Sequence, residues 1–226
     1  MRRDADVVVV GAGIAGAATA RALADGRRTV LLLEQFEPGH TRGSSHGTSR
    51  IHRLNYGDEQ FVRLAQAADD AWRELEQERG ERLVERVGVL DLGPAAPATA
   101  RALAACGVEF ETLSAAEIAG RWPLRPEPGE TGVYQRDGGF VYADRAHAAL
   151  LEAAVDGGVE LRDRMPVVAL ELGREAVHVG LDDGVEETLL LVLHLGAVEE
   201  EGVGDDVRRE RHDHGPHGET EEEETE

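Results

Sequence analysis

Ser44, Ser45, His46, Thr48, Ser49, Arg50, His52 and Arg53 fall within ten positions of one another. An Arg guanidinium presents a planar fork of donors that matches a carboxylate bidentately, a task for which Lys is less suited. The hydroxyls and glycines around it cannot build a core, but they suit a backbone that wraps a polar ligand. Taken without its flanks, the cluster reads as a solvated basic turn. Upstream, Gly11, Gly13 and Gly16 stand in the spacing G-x-G-x-x-G, and Glu34 follows eighteen residues after the last of them. In that pattern the first glycine allows a tight turn, the second lets the backbone approach a pyrophosphate, and the third brings a helix close to a strand. A carboxylate at position 34 would accept hydrogen bonds from a ribose diol and repel a 2′-phosphate. The chemistry implied is recognition of an ADP half, which leaves FAD and NAD open and disfavours NADP.

The glycines need a strand before them and a helix after them. Val7 to Val10 is an apolar run of the length of a buried parallel strand, and Ala17, Ala18, Ala20, Ala22 and Leu23 continue the glycines as a helix that Asp25-Gly26 would stop. A second apolar strand, Val30 to Leu33, delivers Glu34. Strand, glycines, helix, strand and acid together form a βαβ dinucleotide-binding unit, with free N–H groups and a positive dipole end at the helix N-terminus for the phosphates.

The second motif separates FAD from NAD. Gly-Ala-Gly-Ile-Ala-Gly, then Glu34, then His40-Thr-x-Gly-Ser-x-His-Gly-x-x-Arg-Ile-x-Arg53 with Tyr56-Gly57 resembles the flavin-dependent amine oxidases of the monomeric sarcosine oxidase and N-methyltryptophan oxidase type, a branch of the D-amino-acid-oxidase-like flavoproteins. The resemblance implies FAD as cofactor. It implies that Gly11, Gly13, Gly16, Glu34, Gln35, Ser44, Ser45, His46, Thr48 and Arg50 line it, with Val167 contributing backbone near the adenine. It further implies Arg50 and His46 as catalytic residues that tune the flavin's charge, and Arg53 as the holder of the substrate carboxylate. His40 reads as a structural loop residue, and His52 carries no assignment. Oxidation of the C–N bond of an N-methyl or other secondary amino acid is the implied reaction, with molecular oxygen as electron acceptor.

Farther on, Phe61, Leu64, Ala65, Ala68, Trp72 and Leu75 recur at helical spacing over Glu59 to Arg79, with Trp72 expected in the core. Val87 to Leu92 reads as a strand, Thr99 to Ala105 as a short helix, and Val108 to Thr112 as a strand. Ser114 and Glu117 have capping-box spacing for another helix, which Trp122-Pro123 ends. Gly132-Val-Tyr and Asp137 to Asp144 read as a hairpin-like turn feeding a helix with Asp144 near its N-terminus. Val159 to Leu161 and Met165 to Leu170 read as strands, and Ala176 to Asp183 with Thr188 to Leu195 as a hairpin. The resemblance covers about residues 5 to 185.

Beyond that the chain turns polar. From Glu199 to Glu226 there are thirteen acids against three arginines, part of a net charge of −21. So charged and apolar-poor a segment cannot offset its chain entropy and is expected to be disordered. His212, His214 and His217 belong to that solvated stretch, and no metal site is expected. The expected fold is α/β: a Rossmann-like FAD-binding domain (1–85, returning at 143–197), an inserted and incomplete α+β substrate domain (86–142), and the acidic tail (198–226). Among 24 basic residues none is Lys, so the lysine that the resemblance assigns to oxygen activation has no counterpart here. Cys106 is the only cysteine and lies far from the C-terminal position of the family's covalent flavin link, so non-covalent FAD is expected. Two rival readings are a truncated, non-catalytic fragment that binds FAD or its ADP half, and an NAD-linked oxidoreductase domain. The negative charge excludes nucleic acid as a partner, no apolar run is long enough to span a membrane, and the single free cysteine suits a reducing cytoplasm.

Overall fold

The computed structural model describes residues 5–24, 28–172, 177–181 and 186–194. In chain order it forms strand β1 (Ala5–Val10), helix α1 (Ile14–Ala24), β2 (Val30–Leu33), β3 (Arg50–His52) and the long helix α2 (Glu59–Arg79). Strands β4 (Val84–Arg86) and β5 (Val89–Leu92), helix α3 (Ala96–Ala105), β6 (Glu111–Ser114), helix α4 (Ala115–Arg121), β7 (Thr131–Gln135) and β8 (Gly139–Val141) follow. Helix α5 (Ala143–Asp156) then leads to β9 (Glu160–Arg162), β10 (Val167–Leu172), β11 (Val177–Leu181) and β12 (Glu186–His194).

Six strands make the main sheet, in the order β10-β11-β12-β1-β2-β9. β12, β1, β2 and β9 run parallel, in registers such as Val8 opposite Leu31 and Val8 opposite Val192, whereas β10, β11 and β12 form an antiparallel meander. β1 is apolar at successive positions because both its faces are covered. Val7, Val9, Val30 and Leu32 join a core with Ala17 and Ala20 of α1 and Ala146, Ala149 and Ala153 of α5. Val8, Leu31 and Leu33 pack on the opposite face with Val179 and Leu181. The carboxyl end of β1 lies between β2 on one side and the last strand on the other. Open α/β sheets bind ligands outside such a switch in strand order.

Two small antiparallel sheets lie between β2 and α5 in the chain: β3-β8-β4 and β5-β7-β6. They correct several expectations. The loop read through to Arg53 contains a strand, because Arg50 to His52 pair with Gly139 to Val141. The strand expected over Val87 to Leu92 is β5, beginning two residues later at Val89, and Gly88, at φ 87°, separates it from β4, which enters the other small sheet. β7 and β8 do not form a hairpin with each other either, since each pairs in its own sheet. The strand expected over Val108 to Thr112 lies at Glu111–Ser114, running straight into the Ser114–Glu117 capping box. α2 matches its expected bounds, with Asp58 accepting from Gln60 N at its start and Gly80 in the left-handed region at its end. Its apolar stripe is only partly buried: Val62 and Leu75 are enclosed and Trp72 packs on the core, but Phe61 and Leu64 are 55% and 64% exposed. The expected helix stop at Asp25-Gly26 and the acidic tail lie outside the described residues.

A buried ionic network ties α2 to β3 and β4. His52 Nε2 lies 2.9 Å from Asp69 Oδ1, which also accepts from Arg86 at 2.6 Å, while Arg73 Nε donates to Asp69 Oδ2 at 2.9 Å. Arg86 also reaches Glu76 at 3.3 Å, and the other Glu76 oxygen accepts from Leu83 N and Val84 N. Burial pushes the Asp69 carboxyl up, but the hydrogen bonds from Arg86 and Arg73 outweigh it and hold it below its ordinary value. For His52, burial dominates and lowers the imidazole below its ordinary value despite the attraction of Asp69. His52 therefore donates to Asp69, and burial favours its neutral form.

A folded-state value below the unfolded one means that the unfolded chain binds the extra proton, so stability from neutral His52 is complete above about pH 6.5 and falls as the pH drops. The melting temperature is expected to decline from about pH 6.5 to 5 with a component that His52→Asn lacks. Thermal melts of both proteins across that range measure it. Separately, a Cβ at Gly139 would overlap the Glu85 carbonyl oxygen across the β4–β8 pairing. Gly139→Ala is expected to cost about 2 kcal/mol or more of unfolding free energy in a urea titration.

Candidate functional site

The glycine turn follows β1 directly. Gly11 has φ 94°, a left-handed conformation available to glycine at no steric cost, and its N–H donates to Leu33 O across the sheet at 2.7 Å. A Cβ at Gly16 would overlap the Gly11 carbonyl oxygen, so only glycine lets α1 start this close to the end of β1. A Cβ at Gly13 would stand 2.9 Å from Ser45 Oγ. The first turn of a helix carries N–H groups without intrahelical partners. One of them, Ile14 N, donates to Ser45 Oγ at 2.9 Å. The two motifs separated by thirty residues of sequence thus meet at the positive end of α1, with an oxygen acceptor already in place.

Glu34 is buried at 6% exposure, at the end of β2. Its Oε2 accepts from Ala12 N at 2.8 Å and its Oε1 from Phe36 N at 3.0 Å, with His40 Nε2 3.3 Å away from the same Oε1. The carboxylate is shared between the glycine turn and the loop that follows β2. His40 also accepts from Arg42 N through Nδ1 and meets the Phe36 ring edge-on, which gives it the loop-ordering role expected from sequence. Gln35, Ser44 and Thr48 are exposed, and Val167 is half-buried beside the core on the other face of the sheet.

The serine loop is ordered by its own arginine. Arg50 donates to the carbonyls of Ser44 at 2.7 Å, His46 at 2.6 Å and Ser49 at 2.8 Å, its guanidinium lying along Gly47. His46 Nδ1 is 2.5 Å from Gly43 O. Both residues expected to tune the cofactor's charge are thereby engaged in holding the loop's shape. Arg53 is different: its guanidinium stacks over the Tyr56 ring at 5.0 Å, is 40% exposed, and is only 3.8 Å from Asp91 Oδ1. It is the arginine of the cluster with a loose carboxylate partner. Beside it, Asn55 is buried with Nδ2 donating to Val133 O, while its Oδ1 has no hydrogen-bond partner among the described residues.

Sequence reasoning missed three contributors. Asp144 Oδ1 accepts from Gly47 N at 2.7 Å, His147 Nε2 lies 2.6 Å from Ala12 O, and Asp91 faces Arg53. Asp144 was visible as an acid near a helix start, but nothing local connects it to a loop 97 residues earlier.

Residues 6–203 match the family described as DAO, FAD dependent oxidoreductase. The chain belongs to that family of FAD-dependent oxidoreductases. It is 39% identical over 173 residues to peroxisomal sarcosine oxidase of Homo sapiens, covering 74% of this chain and 44% of that protein. Monomeric sarcosine oxidase of Arthrobacter sp. (strain TE1826) is 31% identical over 204 residues, with 87% and 52% of the two chains covered. N-methyl-L-tryptophan oxidase of Yersinia pestis (strain Pestoides F) is 29% identical, covering 85% and 54%. Among solved structures, NikD in its open form, described as an unusual amino acid oxidase essential for nikkomycin biosynthesis, superposes with a TM-score of 0.72 at 31% identity, over 85% of this chain and 51% of its own. L-proline dehydrogenase from P. horikoshii shares the fold, with a TM-score of 0.75 at 20% identity over 86% of this chain and 53% of its own. The chain spans about half the length of the relatives it matches. The family match runs past residue 185, the expected limit of the resemblance, to residue 203.

The residues present fit the family's cofactor. The left-handed Gly11, the steric need for glycine at 16, the close approach of Ser45 to Gly13, the buried acid and the helix N-terminus together make a cradle that side chains would fill. Gly16→Ala is expected to unseat α1 from β1, lowering the melting temperature by several degrees and abolishing FAD uptake. Circular-dichroism melts and FAD titration of the purified variant check both.

Proposed function

We propose that this chain binds FAD non-covalently and supplies the nucleotide-binding and carboxylate-recognising part of an oxidase of N-methyl or other secondary amino acids. Gly11 and Gly16 shape the turn and seat the helix, Gly13, Ser44, Ser45 and Thr48 would hold the pyrophosphate side, Glu34 and Gln35 the ribose, and the Val167 backbone the adenine. The observation that carries the reading is the hydrogen bond from Ile14 N to Ser45 Oγ, which joins the glycine fingerprint to the serine loop at one helix N-terminus. A phosphate oxygen is an acceptor of the same kind, favoured there by the helix dipole. Held there, FAD would supply the hydride acceptor for C–N oxidation. Arg53, which lies over the Tyr56 ring, orients the substrate through its carboxylate. Arg50 and His46 keep the loop beside the flavin in shape, and the Arg50 guanidinium adds positive charge there. Molecular oxygen as acceptor and a cytoplasmic setting belong to the same reading. Among the described residues no helix is long and apolar enough to cross a membrane.

A second reading, binding without turnover, is favoured by one fact: these 226 residues contain no lysine to promote reaction with oxygen. An NAD-linked domain is the weaker rival, since the serine loop has no part in it. The visible spectrum of the purified protein, before and after acid precipitation, tests the proposal. Yellow protein that releases free FAD, bleached anaerobically by sarcosine, is the expected result; bleaching that fails while FAD is bound selects the non-catalytic reading. Protein that takes up NAD but no flavin contradicts both.

A further inference from the structure

The first turns of α5 contact both loops of the proposed cradle. Asp144 Oδ1 accepts the Gly47 N–H at 2.7 Å, and the Gly47 carbonyl accepts the Asp144 N–H at 3.1 Å. Ala143 N donates to Thr48 O at 3.2 Å, so the serine loop is stitched to the helix start by three bonds. One turn later His147 Nε2 lies 2.6 Å from the carbonyl of Ala12, the middle residue of Gly11-Ala12-Gly13. A carbonyl only accepts, so His147 carries its proton on Nε2. The Ala12 N–H meanwhile donates to Glu34 Oε2 at 2.8 Å. The peptide groups on both sides of Ala12 are therefore held by side chains, one from the residue that follows β2 and one from α5, at a residue only 2% exposed.

Residues three apart on a helix share a face, and Asp144 and His147 use that face to reach two loops that are far apart in sequence. α1 and α5 are brought together by small residues, Ala17 and Ala20 against Ala146, Ala149 and Ala153, which leaves little slack between the elements. We propose that Asp144 and His147 are positioning residues of the dinucleotide site: α5 fixes the glycine turn relative to the serine loop and so keeps Ile14 N–H and Ser45 Oγ in register. The inference rests on the FAD-binding reading for its consequence but not for its geometry. A Gly-rich fingerprint requires no histidine on a helix more than a hundred residues later.

Four single variants and one double variant test this, by FAD titration and by amide hydrogen exchange of the ligand-free protein. His147→Leu and Asp144→Ala are each expected to weaken FAD binding by about five- to tenfold, the size of a lost hydrogen bond. His147→Gln and Asp144→Asn, which keep a donor and an acceptor, are expected to stay within about twofold of the wild type. The double variant Asp144→Ala/His147→Leu is expected to lose less than the product of the single losses, because the two act on one spacing. In the ligand-free protein, exchange at Ala12 is expected to quicken in His147→Leu and at Gly47 in Asp144→Ala, but not in the conservative variants. Wild-type FAD affinity in His147→Leu, or a His147→Gln variant as impaired as His147→Leu, overturns the proposal. Wild-type protein that binds no FAD refutes the function proposed above, while the exchange data still decide whether the clamp exists: unchanged exchange in both truncating variants sinks it.

Discussion

The approach of α1 to the end of β1 is the constraint on which the rest of the structure depends. The helix can begin where it does only because Gly16 presents no Cβ to the Gly11 carbonyl and Gly11 turns through a conformation that other residues adopt at a cost. From that approach follows the position of the helix N-terminus, and from that the pairing of Ile14 N with Ser45. Glu34 then becomes a buried carboxylate with backbone donors on two sides, a charge that is tolerable because it is hydrogen-bonded by Ala12 and Phe36. The elements that look like binding machinery are also what closes the top of the sheet.

A second centre of order lies under the small sheets, where Asp69 collects His52, Arg73 and Arg86. Breaking such a network by removing one partner strands a charge in a poor solvent, so its members are coupled in stability. The chemistry-bearing stretch 44–53 is therefore divided by the pleat of β3. Ile51 projects outward at 75% exposure, His52 points inward to Asp69, and Arg53 emerges beyond the strand toward Asp91 and Tyr56. Successive side chains of a strand face opposite ways, so His52 is anchored on Asp69 while its neighbour Ile51 stays exposed.

Much of this was legible in the residues. β2 and α2 lie where the apolar run and the helical spacing put them, since a buried parallel strand and a capped amphipathic helix leave strong local signals. The family resemblance carried by Gly11 to Gly16 and by Ser44 to Arg53 also holds. What local pattern could not give was partnership. Three-residue strands such as β3 and β8 have no periodicity to detect, and their pairing joins Arg50 to Val141 across ninety residues. Gly88 looked like part of a strand because only the fold shows that its positive φ divides two sheets. Phe61 and Leu64 satisfied the helical stripe, yet spacing says which residues share a face and not what covers that face. The partner of Asp144, itself visible as an acid near a helix start, and the role of His147 escaped notice for the same reason, since their meaning lies in what they touch.

The central claim is that this fold recognises the ADP half of a flavin dinucleotide through its glycine turn, serine loop and buried acid. Equilibrium competition tests it most directly: FAD binding is followed by fluorescence while ADP or FMN is added. ADP is expected to displace FAD, and FMN, which lacks the adenylate, neither to bind nor to compete at comparable concentration. FMN that binds while ADP fails to displace FAD would contradict it.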